Sequence, residues 1–298
     1  MSNTSKIQVI CIASGKGGVG KTVIAVNLAV ALQRMGKHVM LLDCDLDMAN
    51  AHIALGTQCD HNLSHFLSGE KTLQEIAVTT RSGVRLVPGA SGLKHMAAIS
   101  QLQAASIVQA FSALEEELDY LIVDISAGIS PPTLAFMVAC PRRFIVVRDD
   151  PLSIADAFAT IKVLVQDYGL SEIYLLPNGM CSQQDGELLF NRIDRACANF
   201  LNQSIHYIGT IKQDRDILLA LKKCQSVLES APKSLCAKDF KRLALLTEAL
   251  EPISYASGVL EFFIERLVKE NTFTRNSEAL QVSRNEFASS AVPNGKYH

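Results

Sequence analysis

Two lysines share one glycine-rich stretch, Gly15-Lys16-Gly17-Gly18-Val19-Gly20-Lys21-Thr22. It fits the spacing G-x-x-x-x-G-K-[ST]. In that pattern glycine N–H groups turn toward phosphate oxygens, Lys21 reaches the β and γ phosphates and the Thr22 hydroxyl ligates Mg²⁺. Lys16 is not needed for such a cradle. Two acidic segments accompany it. HVMLL runs into DCDLDMAN, which sets Asp43, Asp45 and Asp47 at alternate positions, and YLIV runs into Asp124 and then ISAGIS. A phosphate cradle and carboxylates at the ends of apolar runs are parts that can hold a metal-bound nucleoside triphosphate and orient water toward it.

Such residues act together only if a sheet brings its strand ends to one edge. Short β-branched runs at Gln8 to Ala13, His38 to Leu42, Val84 to Pro88, Tyr120 to Val123, Arg143 to Val147, Ile173 to Pro177 and Ile205 to Ile211 alternate with helical patterns. This predicts an α/β fold of three layers, a mainly parallel sheet with helices on both faces. Ligands of such sheets bind beyond the carboxyl ends of the strands. The residues following Ala13, Leu42, Val123 and Pro177 should therefore converge, which adds Asn178 to the candidates. The glycine-rich loop should open a helix with Val23, Val26, Leu28, Ala29 and Leu32 on its apolar positions.

The 298 residues are 48% hydrophobic, enough for a large core. A formal charge of −2 gives no bulk reason to expect direct nucleic-acid binding. The eight cysteines form no C-x-x-C pair and no zinc-finger spacing, and read as small core residues in a reducing cytosol. With no signal-like or spanning apolar segment, the expected location is the cytoplasm. Composition divides the chain into a domain over 1–251, an amphipathic helix within 252–270, and a polar, aperiodic tail over 271–298 expected to be disordered. In GVLEFFIERLVKE, Val259, Leu260, Phe262, Phe263, Ile264, Leu267 and Val268 share a broad face, with Glu261 and Glu265 among the charges opposite.

KGGVGKT resembles the deviant Walker A motif of the MinD/ParA class of P-loop ATPases, which have the SIMIBI type of fold. The resemblance implies ATP and ADP binding, Mg²⁺ and slow, dimer-dependent hydrolysis. It places Gly15, Gly17, Gly18, Val19, Gly20, Lys21, Thr22 and Val23 around the phosphates and Thr22, Asp43 and Asp124 at or near the metal. It makes Lys16, Lys21 and Asp45 the catalytic residues, with Asp45 orienting the water and Lys16 reaching the partner subunit's phosphates. SAGIS would sense the γ-phosphate. Asn178 would meet the adenine edge unless it is a turn asparagine. Asp214 would lie near the base, although Lys212 stands where relatives have proline. Val23 and Ile125 depart from hydroxyl residues of the class, and Asp47, where relatives have glycine, reads as a solvated loop charge.

Within the class, LLDCDLDMANAHIALG, VRLVPGASGLKHM and DDPLSIADAFATIKVL are similar to flagellar-number regulators of the FleN group, also called FlhG or YlxH. That resemblance covers about Gln8 to Val268. It implies an ATP-bound homodimer that acts as an antiactivator, with an AAA+-type flagellar transcriptional activator as partner. The SRP-type GTPase FlhF is a further partner in the group, but the seven residues before the first strand are expected to be too few for the segment that stimulates it. The terminal helix is either a membrane-targeting segment, giving peripheral contact with the inner face of the cell membrane, or a docked helix. The alternative function is that of a ParA-type DNA-partition ATPase. An iron–sulfur carrier would need paired interface cysteines.

Overall fold

Val9, Cys11 and Ala13 point to one side of the first strand and Ile10 and Ile12 to the other, and all five are buried. Such a strand needs cover on both faces, which a parallel sheet between helical layers provides. The computed structural model describes residues 7–45, 49–90, 100–114, 117–251, 253 and 261–263.

The chain begins with β1 (Gln8–Ala13), α1 (Lys21–Arg34) and β2 (Val39–Cys44). Three short helices follow, α2 (Ala51–Ala54), α3 (Leu63–Leu67) and α4 (Leu73–Ile76), then β3 (Val78–Thr79) and β4 (Arg85–Val87). The central part comprises α5 (Gln101–Ala110), β5 (Tyr120–Ile125), α6 (Pro131–Ala139), β6 (Arg142–Val147), α7 (Pro151–Gln166), β7 (Ile173–Met180) and α8 (Gln183–Leu201). The described part ends with β8 (His206–Tyr207), β9 (Ile211–Lys212), α9 (Arg215–Lys222), α10 (Val227–Ser230) and α11 (Leu235–Glu248).

The sheet order is β3-β4-β2-β5-β1-β6-β7-β8, with β9 also paired to β7. Every pairing is parallel except β3 with β4. Side chains of α5, α6, α7 and α8 fill one face, and those of α1, α9, α10 and α11 fill the other. The expected three-layer architecture is therefore present. Every residue of α1 from Ile24 to Leu32 is buried, because the helix lies between the sheet and the outer helices. Its one buried amide, Asn27, accepts from Val227 N at 2.8 Å and donates to Val23 O at 2.8 Å, so burial leaves it satisfied.

Three strands run further than the apolar runs suggest. β2 reaches Cys44, β5 reaches Ile125 and β7 reaches Met180, so Asp43, Asp124 and Asn178 lie within strands rather than after them. Pairing to a neighbour decides a strand's length, and Asp43 and Asp124 are register partners across β2 and β5. The single strand expected over Ile205 to Ile211 is two short ones, parted where Gly209 takes φ +127°.

Most of the expected terminal helix over 252–270, the tail over 271–298 and Asp47 lie outside the described residues. At 262–263 the backbone is a turn, with Phe263 at φ 60°, and Glu261, expected on a polar face, is buried. The rings of Phe262 and Phe263 both stack edge-on against Phe111, at 5.1 and 5.8 Å. Adjacent helical residues diverge by about 100° and could not converge on one ring in this way.

Candidate functional site

The loop between β1 and α1 turns through Gly18 at φ +75° and Gly20 at φ +102°, left-handed conformations that glycine adopts without a Cβ clash. A Cβ on Gly15 would lie 2.2 Å from the Asp156 carbonyl oxygen, so this residue allows the loop to press against α7. A Cβ on Gly17 or Gly18 would meet nothing within 4 Å, which leaves that side of the loop open. Two further bonds hold the loop. Ser14 Oγ donates to Lys16 O at 2.7 Å, and Gly128 N donates to Ser14 O at 2.8 Å, tying the SAGIS segment to the cradle.

Lys21 and Lys16 differ in environment. Lys21 opens α1 and is 7% exposed; burial lowers its pKa, opposed by the charges of Asp124 and Asp45. Lys16 has a partly exposed side chain, and its Nζ lies 3.0 Å from Asp150 Oδ1. Asp150 is the N-cap of α7 and accepts from Ser153 N at 2.9 Å through the same oxygen. The motif D-P-x-S announces that cap in the sequence, whereas the meeting with Lys16, 134 residues away, leaves no sequence signal.

Asp43, Asp45 and Asp124 come together beside Lys21. Asp43 is fully buried and accepts from Asp45 N at 3.1 Å and Ala51 N at 3.0 Å. Burial, with the neighbouring Asp124, pushes its carboxyl well above the ordinary range. Asp124 is also fully buried, and neither of its oxygens has a partner of good hydrogen-bond geometry. Burial pushes it up to about 7, against the opposing effects of the Thr22 hydroxyl and the Lys21 ammonium. An orphaned buried carboxylate beside a threonine hydroxyl fits a divalent cation. Among the described residues no three His, Cys, Asp or Glu side chains form a metal cage, so the remaining ligands of such a cation would be phosphate and water.

Two positioning residues escape a reading of the sequence. Ser126 Oγ donates to Asp45 Oδ1 at 3.2 Å and to Cys44 O at 3.3 Å, which aims the second carboxylate. Gly89 lies so close to β2 that a Cβ there would be 2.7 Å from Asp43 O. Ser126 falls inside a motif that was visible as a switch, while nothing marks Gly89 beyond a V-P-G turn.

The other candidates have more structural surroundings. Val19 is buried in the core, and the Val23 side chain packs against it. Asn178 Nδ2 donates to Val19 O at 2.7 Å, which joins β7 to the loop, and a Cβ on Gly20 would strike that amide at 2.5 Å. Asp214 caps α9 through Asp216 N at 2.9 Å and accepts from Cys236 N at 3.0 Å. Burial alone would raise its pKa, but these N–H groups hold it below the ordinary range. Lys212, at the position of the missing proline, gives both its N–H (3.0 Å) and its Nζ (2.7 Å) to Asp239. A proline there would lack the first of these bonds.

A family model described as an AAA domain matches residues 7–168. The chain is 39% identical to the antiactivator FleN of Pseudomonas aeruginosa, over 90% of this chain and 96% of that protein. It is 32% identical to the flagellum site-determining protein YlxH of Helicobacter pylori, over 90% and 92%. Its fold is similar to that of the septum site-determining protein MinD of Pyrococcus horikoshii in complex with Mg-ADP, with TM-score 0.69, 22% identity, and 82% and 97% of the two chains covered.

Proposed function

Because this chain belongs to the MinD/ParA class of P-loop ATPases, and within it to the FleN-like group, we propose that it is an ATP-driven dimerising switch that restrains an activator of flagellar genes. The observation that carries this reading is the contrast between its two loop lysines. Lys21 is buried in the cradle of its own subunit, and Lys16 stands at the rim with its side chain 36% exposed. A cation at the rim is placed to reach a phosphate that a second subunit brings.

The chain's own residues divide the work. Backbone N–H groups of the loop and the Lys21 ammonium hold the phosphates. Asp45, aimed by Ser126, accepts a hydrogen bond from the attacking water. Thr22 and Asp124 would hold Mg²⁺, with Asp43 behind them, and the metal would supply positive charge against the phosphate oxygens. Asn178 Nδ2 is engaged with Val19 O, and its Oδ1 would accept from the adenine amino group. Residues 1–251 form the switch domain, with the terminal segment docked on it through Phe262 and Phe263. No described helix is long and apolar enough to cross a membrane. The antiactivator role is supported by the likeness to FleN.

Size-exclusion chromatography with light scattering on wild type, Lys16→Ala and Asp45→Ala tests the mechanism. With Mg·ATP, Asp45→Ala is expected to accumulate as a dimer because hydrolysis no longer resets it. Lys16→Ala is expected to stay monomeric. An Asp45→Ala protein that binds ATP yet remains monomeric would sink the switch reading.

A further inference from the structure

The outer surface of α9 and α11 has an unusual composition. The exposed positions of α9 are Arg215, Leu218, Leu219 and Lys222. On α11 the exposed positions before Glu248 are Leu235, Lys238, Lys241, Arg242, Leu245 and Leu246. Every one is leucine, lysine or arginine. Four of the leucines are strongly exposed for their type, Leu218 at 63%, Leu219 at 40%, Leu235 at 57% and Leu245 at 59%. Glu248, at the far end of α11, is taken by Lys37 and Tyr120.

α10 packs against both helices and bridges them. Both lie on the same face of the sheet, and the Asp214 carboxylate joins their first turns by accepting from Asp216 N and Cys236 N. Two acids of this region are engaged and a third is partly covered. Asp239 is buried under Lys212, Glu229 pairs with Arg81, and Asp216 is half-buried at the start of α9. Among the described residues, Arg215, Lys222, Lys238, Lys241 and Arg242 make no ion pair. A chain with a net charge of −2 thus concentrates unpaired cations where it also exposes leucines.

We propose that the α9–α11 face is a docking surface for an acidic amphipathic segment of another protein, its apolar side chains covering the exposed leucines and its carboxylates meeting the flanking lysines and arginines. Charge complementarity selects an anionic partner, and the leucines select among anionic partners. Nucleic acid would place phosphates against apolar side chains and gain nothing from them. A bilayer is the competing anionic and apolar surface, and the vesicle arm of the test reads it. A protein segment with leucine-like residues between acids satisfies both kinds of group, as in interfaces with an apolar centre and a charged rim. The surface is separate from the nucleotide loop, so the proposal stands or falls independently of the switch.

The test is fluorescence anisotropy on the full chain near physiological salt. The probe is a labelled helical peptide with leucines at i, i+3, i+4 and i+7 and glutamates at the flanking positions. Controls are a scrambled peptide of the same composition, a labelled DNA duplex and vesicles containing phosphatidylglycerol. The expected result is binding of the patterned peptide about tenfold tighter than the scrambled one, and a loss of about tenfold in both Lys238→Glu/Arg242→Glu and Leu218→Ser/Leu245→Ser. Both variants should keep the wild-type urea midpoint within about 1 kcal/mol, which certifies their fold. Equal binding of the scrambled peptide, preference for DNA or vesicles, or no peptide binding by the folded wild type would overturn the proposal.

Discussion

Lys16 Nζ lies 3.0 Å from Asp150 Oδ1, so the rim lysine of the phosphate loop is held by the cap of α7 in its own chain. Both side chains are more than a third exposed, and such a pair contributes at most about 1 kcal/mol in water. It orders the lysine without trapping it. Asp150→Asn keeps a capping side chain and removes the charge. Two such pairs break per dimer, so Asp150→Asn should shift the dimerisation constant with Mg·ATP by roughly fivefold toward dimer. Light scattering across a protein dilution series measures it, and an unchanged constant would show that the pair does not compete with dimerisation.

Ser126 aims Asp45 through one hydrogen bond to a charged acceptor. Removing it in Ser126→Ala should lower kcat about tenfold while leaving nucleotide binding close to wild type, since bonds to charged groups contribute roughly 1.5–3 kcal/mol. Phosphate release and nucleotide binding are measured separately. Equal losses in both would assign Ser126 to the architecture of the site rather than to the water.

Gly89→Ala should disturb Asp43 from behind. Its Cβ would fall 2.7 Å from Asp43 O and 2.8 Å from Ala49 Cβ, in backbone that has little room to move. Overpacking of this kind costs about 1–3 kcal/mol, or roughly 3–10 °C in Tm for a domain of this size. Calorimetry reads the stability, and titration with Mg·ADP should show weakened affinity as well.

Glu248 provides a pH test. Burial alone would raise its pKa, but the Lys37 ammonium and the Tyr120 hydroxyl hold the carboxyl below its ordinary range. The carboxylate's contribution is therefore complete above the unfolded value, about 4.3, and fades as pH falls through the lower folded value. Glu248→Gln keeps a partner for Tyr120 and loses the charge pair. After discounting for solvent screening it should cost roughly 0.5 kcal/mol at neutral pH, a deficit that shrinks below about pH 4.3. Urea midpoints of both proteins across pH show it; a deficit that grew on acidification would contradict the assignment.

The α/β class and the parallel sheet were legible in the sequence, and the structure brings together Lys21, Thr22, Asp43, Asp45 and Asp124, which the sequence singled out. Each depends on local pattern, a glycine loop after a β-branched run or a carboxylate at the end of one. Strand lengths were less so, since Asp43 and Asp124 continue their strands only because each pairs with the other's strand. Asp214 looked like a ligand for a base, and the structure gives its carboxylate to two helix starts.

What the sequence by itself determined is the chemistry available: a phosphate cradle, a spare lysine and carboxylates in register with apolar strands. Tertiary structure alone decided how those groups are disposed. It brought Asp150 to Lys16, Ser126 to Asp45 and Gly89 against Asp43, and it packed Phe262 and Phe263 onto Phe111. It also left Leu218 and Leu245 on one outer layer among unpaired cations. The physical reason is range. Loop conformation and hydrophobic period are set by neighbours in the chain, whereas burial, desolvation and ion pairing depend on residues that only the packed sheet brings together.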